Sequence, residues 1–327
     1  MNSRPSISVV MPAYKVAPYI GEALESVFAQ TFTNYEVIVV NDGSPDTEEF
    51  ERALEPFMDR IIYMRQENRG VSAARNHALR SAGGEFIAFL DADDVWLPSY
   101  LQDQLAVIEQ HGCDLVCADA LHFGGSPFDG RTYMEVLMAD APHSGDVTFL
   151  GLLSGEHNLI TSGVLARREP ILEVGLFDEA LRDSEDFDLW LRLARHGVRM
   201  VYHRALLLRY RSHKDSLSGD DFNIAVRALR AFDRLEILFE LLPDELSEVT
   251  SVIRNRRALF EFELGKLYLT RGEFKQARES FRKADALHPS FKLKAACLLL
   301  RVSPELLRSL YLRRAIGSSR EFTNHAV

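Results

Sequence analysis

Short apolar runs alternate with helical periods over the first third of the chain. Ile7–Met11, Tyr35–Val40, Ile61–Arg65 and Phe86–Leu90 are apolar, largely β-branched or aromatic runs of strand length. Pro12 stops the first, Asn41-Asp42-Gly43-Ser44-Pro45 the second, and Gln66-Glu67-Asn68-Arg69-Gly70 the third. Between them, Tyr19–Gln30 carries Ile20, Leu24, Val27 and Phe28 at helical spacing, a second helix runs to about Met58, and a third covers Ser72–Ser81. This alternation predicts a doubly wound, mostly parallel α/β sheet with right-handed crossovers. In such a sheet the turns that follow strands gather on one edge.

The pattern continues with a helix over Ser99–His111 and a strand over Leu115–Asp119. Leu121–Val147 is punctuated by Gly and Pro and shows no clear period; a substrate-facing insertion is the expectation there. Leu159–Arg167 reads as one strand, a helix begins behind Ser184, and Val198–His203 and Leu206–Tyr210 read as two short strands. Ser212–Asp221 reads as a loop or linker, and from Phe222 the period is helical almost to the end. The expected division is an α/β domain over 1–215 and a helical C-terminal region over 222–315.

Within the helical region, 258–289 resembles a tetratricopeptide repeat. Leu264-Gly265, Tyr268, Ala277, Phe281, Ala284 and Pro289 fall at the repeat's relative positions, with Glu261 where the repeat has tryptophan. A lone repeat cannot bury its own faces. The pair therefore either packs on flanking helices as a bundle or lines a groove for a partner. The last two helical stretches, Lys292–Arg301 and Pro304–Ala315, set Leu298, Leu299, Leu300, Leu306, Leu307 and Leu310 against Lys292, Lys294, Arg301, Arg308, Arg313 and Arg314. That pattern suits either an anionic membrane surface or ordinary packing with a solvated basic face.

Composition narrows the class. The 327 residues are 46% hydrophobic and 26% charged, ordinary for a globular chain, and the net charge of −10 argues against nucleic acid as a partner. The three cysteines, Cys113, Cys117 and Cys297, are too few for a disulfide framework, and the first two flank an apolar stretch that reads as core. No apolar run reaches transmembrane length and no secretory h-region follows Met1. The expected location is cytoplasmic, with the basic tail as the one candidate for contact with the inner face of a membrane.

The candidate chemistry centres on Asp91-Ala92-Asp93-Asp94, three carboxylates within four residues at the end of a buried strand. Ligands of open α/β sheets bind at that edge. Asp91 and Asp93 can direct oxygens at one hard cation, although Asp-rich turns also cap helices. Together with Pro12-Ala13-Tyr14, Asn41-Asp42-Gly43-Ser44, Asn68-Arg69-Gly70 and Glu185-Asp186, this turn makes residues 5–215 resemble the family 2 glycosyltransferases, inverting enzymes of the GT-A fold.

The resemblance implies metal-dependent transfer of a sugar from a nucleotide diphosphate sugar, UDP-linked by the same resemblance, to an acceptor hydroxyl of a glycan or glycolipid. Pro12, Ala13 and Tyr14 would seat the nucleotide, and Asp42 would accept hydrogen bonds from base or ribose, where its ordinary role is to hold an Asx turn. Arg69 or Arg75 would face phosphate, Arg75 being the better match within Ala74-Arg75-Asn76. Asp91 and Ala92 would flank the diphosphate, and Asp93, with Asp91 in support, would ligate Mn²⁺ or Mg²⁺. Asp186 would be the catalytic base, although acids in a first helical turn also favour the macrodipole. Trp190 would stack on sugar or join the core. In the polar stretch holding Arg211 and Lys214, His213 would add a metal or phosphate contact. The rival readings are a metal-dependent nucleotidyltransferase, and a scaffold that binds partners through its helical tail.

Overall fold

The computed structural model describes residues 5–137, 143–181, 183–212, 225–226, 229–230, 232 and 243–317. They fall into two compact units, one within Met1–Leu152 and His157–Lys214, the other within Leu153–Glu156 and Asp215–Val327. The first begins with β1 (Ile7–Ala13), α1 (Ile20–Phe28), β2 (Tyr35–Asp42), α2 (Thr47–Leu54), β3 (Ile62–Gln66), α3 (Val71–Ser81) and β4 (Phe86–Phe89). It continues with β5 (Val95–Trp96), α4 (Tyr100–His111), β6 (Leu115–Phe123), α5 (Tyr133–Leu137), β7 (Gly145–Val147), α6 (Phe149–Ser154), β8 (Val164–Arg167), α7 (Arg168–Glu173), α8 (Glu185–Arg195) and β9 (Met200–Arg211).

Among the described residues these nine strands form one sheet in the order β3-β2-β1-β4-β8-β6-β9-β5, with β7 paired to β9. β1 is parallel to both β2 and β4, and β2 to β3. Ile7, Val9, Val10, Met11 and Val37–Val40 are fully or almost fully buried, as strands covered on both faces require. The chain winds outward from β1 to β3 and then returns to β4 on the other side of β1. That reversal opens a crevice at the carboxyl ends of β1 and β4. At the opposite, amino end of the pair, Gly84 lets the chain enter β4 close against β1: a Cβ on it would lie 2.6 Å from the Ser8 nitrogen.

The other half of the sheet departs from the sequence reading. β8 runs antiparallel between β4 and β6, and β9 pairs parallel with β6. Of the expected strand over Leu159–Arg167, only Val164–Arg167 is strand, because Thr161–Gly163 forms a 3₁₀ turn tied down by side chains. The two short strands expected after Val198 are one strand, β9, whose register against β6 shifts around Arg204 and Ala205 while the pairing continues to Phe123. The unassigned stretch after Leu121 holds the end of β6, then α5 and β7. Cys113 and Cys117 are buried and free, as core thiols.

The second unit contains α9 (Pro243–Arg271), α10 (Phe274–Leu287), α11 (Phe291–Val302) and α12 (Pro304–Gly317). Leu269, Ala277, Phe281, Ala284, Leu293 and Leu300 form its core, with Tyr268, Ala296, Leu307 and Tyr311 packed around them. Gly265 makes room for the Phe281 ring, since a Cβ there would lie 2.5 Å from it. Leu300 of the tail therefore belongs to the core, whereas Phe291, Leu298, Val302, Leu306 and Leu310 are exposed. No described helix is long and apolar enough to cross a membrane.

Candidate active site

The turn after β4 sorts its three acids by depth. Asp94 is buried, its Oδ1 accepts the Arg211 amide at 2.8 Å, and burial, then Asp93 and Asp91, push its carboxyl well above the usual range. Asp93 is half-buried, and its carbonyl accepts Arg211 Nε at 2.7 Å. The Arg211 guanidinium also pairs with Glu22 and packs over Tyr19 and Phe123. Asp91 keeps a third of its side chain exposed.

Arg75 joins this turn to the start of α8. Its Nη2 donates to Asp91 Oδ1 and its Nη1 to Glu185 Oε1, both at 2.7 Å, with the guanidinium 5.3 Å from the Phe177 ring centroid. Burial alone would lower its pKa, but Asp91 and then Glu185 hold it above the ordinary value, so the guanidinium stays charged. Glu185 is drawn upward by burial and by Asp186, with Arg75 pulling the other way. Both terminal nitrogens of Arg75, the residue expected to face phosphate, are thus engaged by carboxylates.

Asp186 is half-buried one residue on. Thr161 Oγ1 donates to its Oδ2 at 2.9 Å, and the Phe187 amide donates to Oδ1 at 2.8 Å. Asp188 turns elsewhere, to Arg192 Nη2 at 2.7 Å. Trp190 is core, with its ring centroid 6.1 Å from that of Phe89. The loop closes through Ser162, whose Oγ accepts the Asp91 amide at 3.1 Å. Asp91, Arg75, Glu185, Asp186, Thr161 and Ser162 therefore form one ring of hydrogen bonds and chain connections.

The loops after β1 and β2 lie at the same edge of the sheet. Lys15, at φ 57°, donates its amide to Ser44 Oγ at 2.7 Å, and Ala17 donates to Asp46 Oδ2 at 3.1 Å. Tyr14 is 44% exposed, Pro12 half-buried, and Ala13 and Ala92 buried. Asp42 is buried with both oxygens engaged: Gln66 Nε2 and the Arg69 amide reach Oδ1 at 2.8 and 2.9 Å, and the Gly70 amide reaches Oδ2 at 2.8 Å. It braces the turn before α3 rather than the Asp42-Gly43 corner. Arg69 pairs with Glu179 at 2.6 Å. His213 and Lys214 lie outside the described residues.

Among the described residues, no group of three His, Cys, Asp or Glu side chains converges on a metal-sized point. Asp91 and Asp93 supply two carboxylates, one already sharing an oxygen with Arg75. That donor set fits a hard cation that brings the rest of its coordination as phosphate and water, the usual habit of Mg²⁺. Thr161 and Ser162 were not candidates from the sequence, where they sat inside an apparent strand. Arg211 and Glu185 were visible only as neighbours of other candidates.

An open α/β sheet with carboxylates gathered at its switch point puts a candidate ligand site at the carboxyl ends of β1 and β4. The chain belongs to glycosyl transferase family 2, whose family model matches residues 8–175. A glycosyltransferase of Rickettsia felis is 30% identical over 217 residues, 64% of this chain and 35% of that protein. The chain spans about a third of that and two further Rickettsia relatives, 35%, 34% and 30% of their lengths. The putative teichuronic acid biosynthesis glycosyltransferase TuaG of Bacillus subtilis is 28% identical over 243 residues, 72% of this chain and 91% of TuaG. Staphylococcus aureus TarS 1–349 in complex with UDP-GlcNAc superposes with a TM-score of 0.66 at 20% identity, covering 97% of this chain and 93% of that one. Mannosyltransferase PcManGT from Pyrobaculum calidifontis, in complex with GDP-Man and Mn²⁺, gives 0.60 at 19% identity, covering 98% and 88%.

Proposed function

We propose that the chain transfers a sugar, with inversion, from a nucleotide diphosphate sugar to a hydroxyl of a glycan or glycolipid. The observation that carries this reading is the ring through Asp91, Arg75, Glu185, Asp186, Thr161 and Ser162. It holds an acid suited to the donor side and an acid suited to the acceptor side in one fixed relation. UDP as the nucleotide is supported by the UDP-GlcNAc held by TarS, and polysaccharide assembly by the putative role of TuaG in teichuronic acid biosynthesis.

In this reading Asp93 and Asp91 would hold Mn²⁺ or Mg²⁺, which when bound supplies Lewis-acid neutralisation of the departing diphosphate. Arg75 keeps Asp91 oriented and balances the negative charge of the acid turn. The exposed Tyr14 ring offers apolar area to the base. Pro12, Ala13 and Ala92 shape the backbone around the nucleotide, and Asp42 fixes the neighbouring wall. Asp186 takes the proton of the acceptor hydroxyl as its oxygen attacks the anomeric carbon opposite the leaving group. The exposed apolar and basic faces of α11 and α12 would rest on an anionic membrane surface, where a glycolipid acceptor resides.

The test is release of nucleotide from a panel of UDP-glucose, UDP-galactose, UDP-GlcNAc and GDP-mannose with Mn²⁺, comparing the wild type with Asp186→Asn. With the best donor, the variant should keep nucleotide affinity and lose about 10²–10⁴-fold in turnover, the range for a general base. Asp188→Asn is the control and should turn over within a few-fold of wild type. Turnover surviving in Asp186→Asn, or lost equally in Asp188→Asn, rules out Asp186 as the base.

A further inference from the structure

The 3₁₀ turn Thr161–Gly163 is held more firmly than a connecting turn requires. Thr161 is 6% exposed, Ser162 is fully buried, and Gly163 is buried as well. Trp96 Nε1 donates to the Ser162 carbonyl at 2.8 Å, and Gln104 Nε2 donates to the Gly163 carbonyl at 2.6 Å. A Cβ on Gly163 would lie 2.8 Å from the Ala118 carbonyl oxygen, so the turn is pressed against the backbone of β6. Two side chains from β5 and α4 thus fix the main chain from which both hydroxyls project.

The Thr161 hydroxyl meets a carboxylate, whereas the Ser162 hydroxyl meets a main-chain amide of the acid turn and the buried Asp94 carboxyl. Ser162 Oγ accepts the Asp91 amide at 3.1 Å, and Thr161 Oγ1 donates to Asp186 Oδ2 at 2.9 Å. The other oxygen of Asp186 accepts the Phe187 amide at 2.8 Å. A carboxylate offers about four lone-pair sites, so these two bonds set its rotation and leave sites on known bearings for an incoming hydroxyl. We infer that Thr161 is a positioning residue, which aims Asp186 at the acceptor proton and, with Ser162, sets its place relative to Asp91. The inference rests on the proposed role of Asp186 and deepens it. A hydroxyl present only to satisfy a buried turn would have no reason to meet the carboxylate proposed as the base.

The experiment compares Thr161→Val, which keeps shape and deletes the donor, with Thr161→Ser, which keeps the donor. The readout is nucleotide release with Mn²⁺ and the best donor of the panel above, with UDP affinity measured by calorimetry. Thr161→Val should lower kcat about 10- to 100-fold, a misplacement effect smaller than loss of the base, while KM and UDP affinity stay within about twofold. Thr161→Ser should recover to within about threefold of wild type. Should the valine variant fail to fold, Thr161→Ala carries the same expectation. Wild-type turnover in Thr161→Val, or equal loss in Val and Ser variants, overturns the inference while Asp186→Asn stays inactive. An active Asp186→Asn, or no turnover by the wild type with any donor, overturns the underlying reading and the inference with it.

Discussion

Arg75 Nη2 lies 2.7 Å from Asp91 Oδ1, and its other terminal nitrogen lies at the same distance from Glu185. One buried cation therefore stands between two acids that would otherwise repel. Arg75→Met should leave two uncompensated carboxylates, at a cost of about 3–5 kcal/mol. For a unit of roughly 200 residues that is a fall on the order of 10 °C in Tm by calorimetry. Adding Glu185→Gln should recover part of the loss, because one of the stranded charges is removed. A Tm within about 2 °C of wild type in Arg75→Met would show that the bridge does not hold this corner of the fold.

The acid turn should make donor binding depend on metal. Asp91 and Asp93 present negative charge to an incoming diphosphate, and Arg75 offsets only part of it. UDP should bind in Mn²⁺ with an affinity at least about tenfold above that in chelator, a difference of about 1.4 kcal/mol. Asp93→Ala should abolish the difference without changing the far-ultraviolet circular dichroism. Equal titration curves in metal and in chelator for the wild type would remove Asp93 from the proposed metal site.

The half of the sheet from β1 to β4 was legible in the sequence for a physical reason. Strands buried on both faces must be apolar throughout, so Ile7–Met11, Tyr35–Val40 and Phe86–Leu90 announced themselves. Parallel pairing then forced Tyr14, Asp42 and Asp91 toward one edge. The other half was not legible, because long-range contacts decide it. Thr161–Gly163 is a turn on account of Trp96 and Gln104, residues that leave no local period in the sequence. Depth was equally hidden. Asp93 and Asp94 are identical side chains in adjacent positions, and only the fold buries one and leaves the other half-exposed. Nor could spacing show that Asp42 would spend its oxygens on Gln66, Arg69 and Gly70.

A histidine pair away from the acids should make stability depend on pH. The rings of His143 and His157 lie 3.9 Å apart, and His157 Nδ1 accepts the Thr148 amide at 3.0 Å. Burial and then His143 push the His157 pKa from 6.5 down to about 4. The folded state thus favours neutral His157. Between pH 6.5 and 4 the unfolded chain binds a proton that the folded chain does not, so this contribution is present above pH 6.5 and is lost as pH falls toward 4. Melting curves of the wild type and His157→Gln should keep a constant separation at neutral pH and shift in favour of the variant across that window. Parallel curves down to pH 4 would show that His157 carries no such linkage.

The last expectation concerns α11 and α12. Phe291, Leu298 and Val302 recur at helical spacing along α11, at 87%, 62% and 76% exposure, and Leu306 continues the apolar surface onto α12 at 50%. Lys292, Lys294 and Arg301 are exposed on α11, whereas the whole chain carries a net charge of −10. Apolar side chains beside basic ones, on a chain that is otherwise acidic, fit an anionic lipid surface better than a second acidic protein. Each basic residue near such a surface contributes about 1 kcal/mol, screened over roughly 8 Å at physiological salt. The protein should therefore sediment with vesicles containing phosphatidylglycerol, less with phosphatidylcholine alone, and less again at high salt. Leu298→Glu with Val302→Glu should abolish sedimentation without lowering Tm, since neither side chain belongs to the core around Phe281. If the double variant still sediments like the wild type, this face does not touch lipid, and its exposed leucines belong to another interface.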